Sequence, residues 1–240
     1  MKRLLCVFAH PDDESYGPGG TIARCVLDGV EVFITMFTAG EAGTVGISKT
    51  LTRDELARRR RLELACACDA LGVGHRILGA PDGGVAGVDP AWAVGEILAD
   101  IRRLRPHVAL TFHRRGVSGH PDHIAVTGFL DRALAEAGDD GPAVAYEWGI
   151  PRSHARLYER PSLAPMEEDE IVARVDIDED AMQRKLAAIR CHATQYDFFV
   201  SLEQKFDYRA VSSPECFARG RSRLAIAAPV GDLFQGIEVD

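Results

Sequence analysis

Short apolar runs rich in β-branched residues alternate with helical patterns through the first 150 or so residues of this chain. Alternation of that kind builds βαβ units, and these assemble into a parallel sheet covered by helices on both faces. Strands are expected at Leu4–Ala9, Val30–Phe37, His75–Leu78, Val108–Phe112 and Ala143–Trp148. Leu4–Ala9 is continuously apolar, as a strand buried on both faces is. Helices are expected at Thr21–Leu27, from Thr52 to Gly72, at Pro90–Leu104 and at Pro121–Ala135. Thr52-Arg53-Asp54-Glu55 has the capping-box form, and Gly72 is placed to stop the helix it opens. Beyond residue 150 the pattern loosens, with strands expected near His154–Tyr158 and Ile171–Val175 and a helix near Asp180–Arg190. No Pro/Gly/Ser-rich linker intervenes, so residues 1–240 read as one domain, a sheet core over 1–150 and a C-terminal extension over 151–240. The expected fold class is α/β, a Rossmann-like, mostly parallel sheet with an irregular C-terminal portion packed on it.

Charge and hydropathy exclude several functions. Acidic residues outnumber basic ones, 36 to 28, whereas a nucleic-acid partner calls for a basic surplus on one face. Arg58–Arg61 circles its helix and reads as a solvated or ligand-rim stretch. Apolar runs such as Leu4–Ala9 and Leu224–Val230 have strand length, far short of the roughly 20 residues a membrane span needs. Lys2 and Arg3 before the first run imitate a signal peptide, but that run ends at once in charge. The six cysteines are scattered, with no CxxC pair. Read as small buried thiols, they point to a reducing cytoplasm.

The loops at the carboxyl ends of the strands carry the chemistry, because ligands of open α/β sheets collect there. A dinucleotide would need G-x-G-x-x-G directly after the first strand. Instead Asp12, Asp13 and Glu14 follow it, and three carboxylates repel a pyrophosphate but suit a cation. Gly119-His120-Pro121-Asp122-His123 follows the strand ending at Phe112 and opens a helix, with Pro121 at its first position and His120 as cap. Topology brings this segment and His10 to one rim. Two imidazoles, one carboxylate and an open position make a hydrolytic zinc arrangement, one ion per chain, with Fe2+ or Mn2+ also compatible. The long small-residue loop Thr38–Thr50 is a further functional candidate.

These segments resemble the LmbE-like / PIG-L family of zinc-dependent N-acetylglucosaminyl deacetylases. The resemblance rests on Ala9-His10-Pro11-Asp12-Asp13-Glu14 and Gly119-His120-Pro121-Asp122-His123. Between and around them lie Thr38–Gly43, Arg60–Leu64, Leu78–Gly83, Lys185 and His192-Ala193-Thr194-Gln195. It implies a hydrolase removing an N-acetyl group from a GlcNAc-type sugar or glycoside, a small-molecule partner, with no nucleic acid or membrane and with homo-oligomerisation open. It implies His10, Asp13 and His123 as metal ligands, Asp12 as general base, protonated His120 as support for the tetrahedral intermediate, and Asp122 as a residue orienting a histidine. An ordinary Asp pKa near 4 would make Asp12 a ready acceptor. Glu41, Arg60, Asp82, Arg114, His192 and Gln195 are candidate substrate contacts, the last two at the mouth of the site. His113-Arg114-Arg115 departs from the family pattern, and its arginines suit an anionic acyl sugar. The alternatives are a zinc amidase acting on a thiol conjugate or antibiotic-like glycoside, and a non-catalytic zinc-binding protein.

Overall fold

The computed structural model describes residues 1–44, 50–158, 161–226 and 229–238, so part of the Thr38–Thr50 loop and of the Leu224–Val230 run lies outside the described residues. β1 (Arg3–Phe8) is buried from Leu4 onward. It lies inside the sheet, paired in parallel with β2 (Glu31–Met36) on one edge and β4 (Val108–Phe112) on the other. A strand paired at both edges and covered on both faces has no solvent side, hence no alternation in its sequence. With β3 (Gly74–Ile77), β5 (Val144–Gly149), β6 (Ile171–Val175) and β7 (Glu215–Ser222), the seven-stranded order is β3-β2-β1-β4-β5-β7-β6. The first five strands in that order run parallel, and the β5–β7 and β7–β6 pairs are antiparallel.

Among the described residues, ten α-helical segments accompany the sheet: α1 (Asp13–Tyr16), α2 (Gly19–Leu27), α3 (Arg53–Leu71), α4 (Pro90–Leu104), the kinked turn α5 (Gly116–Gly119), α6 (Pro121–Ala137), α7 (Arg152–Ala155), α8 (Glu179–Cys191), α9 (Tyr196–Glu203) and α10 (Tyr208–Val211). α2, α3 and α8 pack together, and α4 packs on α6. Local signals set the ends. Thr52 and Glu55 form the reciprocal capping box, and Gly72 takes the left-handed conformation that closes α3, φ 79°. Chain direction across the sheet reverses at β1 and β4, which opens a crevice at their carboxyl ends.

Two expectations fail in the C-terminal part. His154–Tyr158 is helical, α7 followed by a 3-10 turn. β7 has only Cys216–Ala218 as a buried apolar run, and its second half, Arg219–Ser222, lies at the surface, so no strand pattern announces it. Its position is secured by Glu215. The α2 N-terminus has no side-chain cap of its own, and the Glu215 carboxylate accepts from Gly20 N (3.0 Å) and Thr21 N (2.7 Å), where a helix favours negative charge. Lys185 of α8 pairs with the same carboxylate at 2.6 Å and donates to Gly17 O at 2.8 Å. Glu215 and Lys185 are both buried.

The cysteine reading is corrected. Cys66 of α3 is disulfide-bonded to Cys191 at the end of α8, while Cys6, Cys25, Cys68 and Cys216 are free and buried. Cys66 and Cys68 diverge around α3, one toward α8 and one into the core, as i,i+2 positions must. With one pair oxidised, the cysteines supply no ground for a reducing compartment. The bond closes a loop of 125 residues, so Cys191→Ser is expected to lower stability by about 2–4 kcal/mol. Chemical denaturation with and without reductant checks this; identical midpoints for wild type in both conditions would contradict it. Among the described residues, no helix is long and apolar enough to cross a membrane.

Candidate active site

Three potential ligand residues converge at the β1/β4 crevice. His123 Nε2 lies 3.3 Å from His10 Nδ1 and 3.4 Å from Asp13 Oδ1, and His10 Nδ1 lies 3.5 Å from Asp13 Oδ2. Each atom is held from behind. His10 Nε2 faces Asp82 at 3.1 Å and Asp122 at 3.2 Å, so that nitrogen carries its hydrogen toward the carboxylates and leaves a lone pair on Nδ1. His123 Nδ1 faces Gly116 O at 3.2 Å, which leaves the lone pair on Nε2, and the ring stacks on Phe112 at 3.8 Å. Asp13 accepts from His10 N at 2.7 Å. Lone pairs gathered this way repel unless a cation lies among them. Ligands about 2.0–2.1 Å from a tetrahedral zinc ion lie roughly 3.3–3.4 Å from one another, and these spacings match. The donor set fits a divalent metal.

The local fold explains the placement. His10 and Asp13 bracket the turn from β1 into α1, and His123 sits in the first turn of α6, capped by His120. Buried Asp122 accepts from Gly83 N (2.8 Å) and Val85 N (3.1 Å) as well as facing His10. It ties the β3–α4 loop to the far side of the His10 ring, as outer partners of metal sites do. Burial lowers His123 to about 4 against the pull of Asp13, and a neutral imidazole is the ligating form. Burial would raise Asp13, but His123 and His10 outweigh it and hold the carboxyl at about 2. Burial would lower His10, but its bonds to Asp122, Asp13 and Asp82 raise it well above the ordinary value. A metal ion held at His10 would therefore compete there with a proton.

Asp12 and His120 flank this cluster in a cavity of about 350 Å³. Asp12 caps α1 at φ 119°, a conformation costing a non-glycine residue on the order of 1–3 kcal/mol and concentrated at functional sites. Buried Arg60 bonds Asp12 Oδ2 at 3.0 Å, Gly40 O at 2.8 Å and Pro11 O. The expectation of an ordinary Asp12 is corrected: burial, opposed by Arg60, lifts its pKa to about 7. Protonated His120 is corrected too. Burial lowers its pKa, with nearby His10 adding to the effect. Its Nδ1 accepts from Asp122 N at 3.2 Å, which leaves Nε2–H as the donor of a neutral ring.

The candidate substrate contacts separate into two groups. Arg60, Asp82 and Gln195 line the cavity. Glu41 instead accepts from Asp82 N at 2.8 Å and braces that loop. His192 lies behind the site, fully buried against Glu14 at 2.6 Å, and Glu14 in turn accepts from Asp12 N at 3.0 Å. Arg114 bonds Glu147 and Arg219 O, and Arg115 bonds Glu170 and Pro165 O. Both arginines are spent on structural partners outside the cavity lining, so the inference of an anionic acyl sugar loses its basis. His113 is buried beside Glu170. Sequence reading missed the apolar lining from Tyr16, Trp148, Ile150, Tyr158, Leu163 and Leu202. Only Trp148 carried a signal, as the last residues of a parallel strand at the ligand-bearing edge.

Gly40 offers a direct test of the Arg60 brace. Its φ is +69°, and a Cβ there would meet the Arg60 guanidinium at 2.2 Å. Gly40→Ala is expected to displace Arg60 and cut turnover about tenfold or more, the scale of a disturbed catalytic proton acceptor, with metal content retained. Unchanged kcat would remove Arg60 from the account.

Comparison with known proteins agrees with this geometry. The family described as PIG-L, GlcNAc-PI de-N-acetylase, matches residues 5–134. A 1D-myo-inositol 2-acetamido-2-deoxy-alpha-D-glucopyranoside deacetylase of Acidothermus cellulolyticus is 33% identical, over 100% of this chain and 96% of that protein. The N,N'-diacetylchitobiose deacetylase of Pyrococcus horikoshii shares the fold at TM-score 0.69 and 22% identity, over 98% of this chain and 86% of that one. The 4-carboxy-2-hydroxymuconate hydratase GalB of Pseudomonas putida shares it at TM-score 0.73 and 19% identity, over 94% and 98%. One fold thus carries different chemistries, and the site must decide between them. With the matched residues 5–134 taking in both the His10–Asp13 turn and the His120–His123 turn, and a curated relative 33% identical over the whole of this chain, the chain belongs to the PIG-L family.

Proposed function

We propose that this protein is a metal-dependent N-deacetylase, with zinc the preferred ion, that removes the N-acetyl group from a GlcNAc-type sugar or glycoside and releases acetate and a free amine. The observation that carries the reading is the convergence of His10, Asp13 and His123 at 3.3–3.5 Å beside Asp12 and His120. A divalent ion held by those three residues supplies Lewis acidity, polarising the acyl carbonyl and acidifying water. Asp12, with a pKa near working pH, accepts the proton of the attacking water, the poise that favours general base catalysis. Arg60 fixes the Asp12 carboxylate during that transfer. His120 directs its Nε2–H into the cavity, where it meets the oxyanion of the tetrahedral intermediate, and Asp12 passes the proton it took from water on to the departing amine. Asp122 and Asp82 hold the His10 ring in its ligating tautomer.

A purely structural zinc site has no use for a base and a donor on either side of it, which argues against the non-catalytic alternative. The test is amine release from N-acetylglucosamine glycosides by metal-reconstituted protein, with and without chelator. Release that stops on chelation and returns with zinc is the expected result. Release that ignores chelator, or none after reconstitution, would overturn the reading.

A further inference from the structure

Beyond its polar floor, the cavity has a wall that the proposed deacetylation does not use. Trp148, Tyr158, Leu163, Phe198 and Leu202 present aromatic and aliphatic surface around one continuous space with the His–Asp cluster. Tyr16 and Tyr208 also border it, and their hydroxyls are tied to Gln195 O (3.2 Å) and Tyr16 O (3.0 Å), which leaves their rings as the exposed character. The charge balance points the same way. Among the described residues lining the cavity, the three carboxylates Asp12, Asp13 and Asp82 face Arg60 as the one arginine or lysine. Arg60 and a divalent cation neutralise them, leaving no positive excess for an anionic ligand. Apart from Tyr16, the wall residues named here come after residue 134, outside the segment the family match covers, whereas the candidate metal and proton-transfer residues lie inside it. Chemistry and recognition come from different parts of the chain.

We infer that this wall binds an uncharged aromatic or alkyl group borne by the N-acyl amino sugar, so that the substrate is an apolar-substituted GlcNAc-type compound and not a polyol- or anion-bearing one. The inference rests on the deacetylase reading above. The group has two attachment points, the glycosidic oxygen or the acyl carbon, and the same surface serves either. Burying one ring-sized apolar group contributes about 1.5–3 kcal/mol, which corresponds to a factor on the order of 10–100 in binding.

The experiment compares kcat/KM of the zinc-loaded protein on matched probes. The phenyl and methyl glycosides of N-acetylglucosamine read the aglycone arm. N-hexanoyl- and N-acetylglucosamine read the acyl arm, and the inositol glycoside and a glucuronide-bearing glycoside are the polar comparators. One bulky apolar probe is expected to exceed its small counterpart by about tenfold or more, and Phe198→Ala and Tyr158→Ala are expected to bring that ratio toward one. Ratios near one in both arms, or a preference for the inositol or anionic probe, would overturn the inference while leaving the deacetylase reading intact. If no probe is turned over, that reading falls, and the wall is read by binding alone. The chain has 2 tryptophans, and Trp92→Phe leaves Trp148 as the only reporter. Saturable quenching by the phenyl glycoside tenfold tighter than by the methyl glycoside supports the inference; equal or absent quenching defeats it.

Discussion

Asp12→Asn is expected to keep its full complement of zinc and lose about 10²–10⁴-fold in kcat, the usual contribution of a positioned general base. Asn preserves the shape of the side chain and its contact with Arg60, but it cannot take up a proton. Asp13→Ala and His123→Ala are expected to lose the metal first, because each removes one of the three converging ligand atoms. His120→Ala should retain metal and lose on the order of 10²–10³-fold, as removal of an oxyanion donor does. Metal-to-protein ratios measured beside steady-state rates separate these outcomes. Equal metal loss in the Asp12, Asp13 and His123 variants would dissolve the division of roles.

The largest effect on stability is expected at Lys185. Its ammonium is buried against Glu215 at 2.6 Å; burial would lower its pKa, but Glu215 and Tyr208 outweigh that and raise it. Lys185→Met leaves the Glu215 carboxylate buried without its counter-charge, and breaking such a pair costs about 3–5 kcal/mol. Lys185→Met/Glu215→Gln should recover part of that loss, since Gln keeps one acceptor for the α2 N-terminus and removes the stranded charge. A double-mutant cycle in denaturant measures the coupling. A single-variant cost below about 1 kcal/mol would show the pair to be hydrated, as surface pairs are. The sign of the pH dependence follows from the raised Lys185 pKa: the contribution is complete below the ordinary lysine value near 10.4 and is lost as pH rises through the higher folded-state value.

The parallel half of the fold was legible because each of its elements is patterned locally. Pro90–Leu104 and Val108–Phe112 have the expected bounds, and the Thr52 capping box forms as written. The meeting of His10 with His123 was legible through topology, since both follow strands that run side by side. What the sequence concealed depends on partners distant in the chain. β7 becomes a strand by filling the gap between β5 and β6, not through its own alternation. Arg114 and Arg115 looked like ligand contacts until Glu147 and Glu170 were seen to hold them. The shift of Asp12 likewise arises from burial under loops far away in sequence. Cys191 lies 125 residues from its partner, and spacing alone gave no reason to join them.

The placement of β7 bears on how the protein comes into being. Its slot between β5 and β6 stays vacant until residues 215–222 have been made, and until then β5 shows an unpaired edge of the kind that invites mispairing. Glu215 arrives with that same strand, so the nascent chain acquires the clasp on Gly20, Thr21 and Lys185 only after every hydrolytic residue has been made. A polypeptide cut short before Glu215 would possess every hydrolytic residue and lack the clasp that joins α2 to α8.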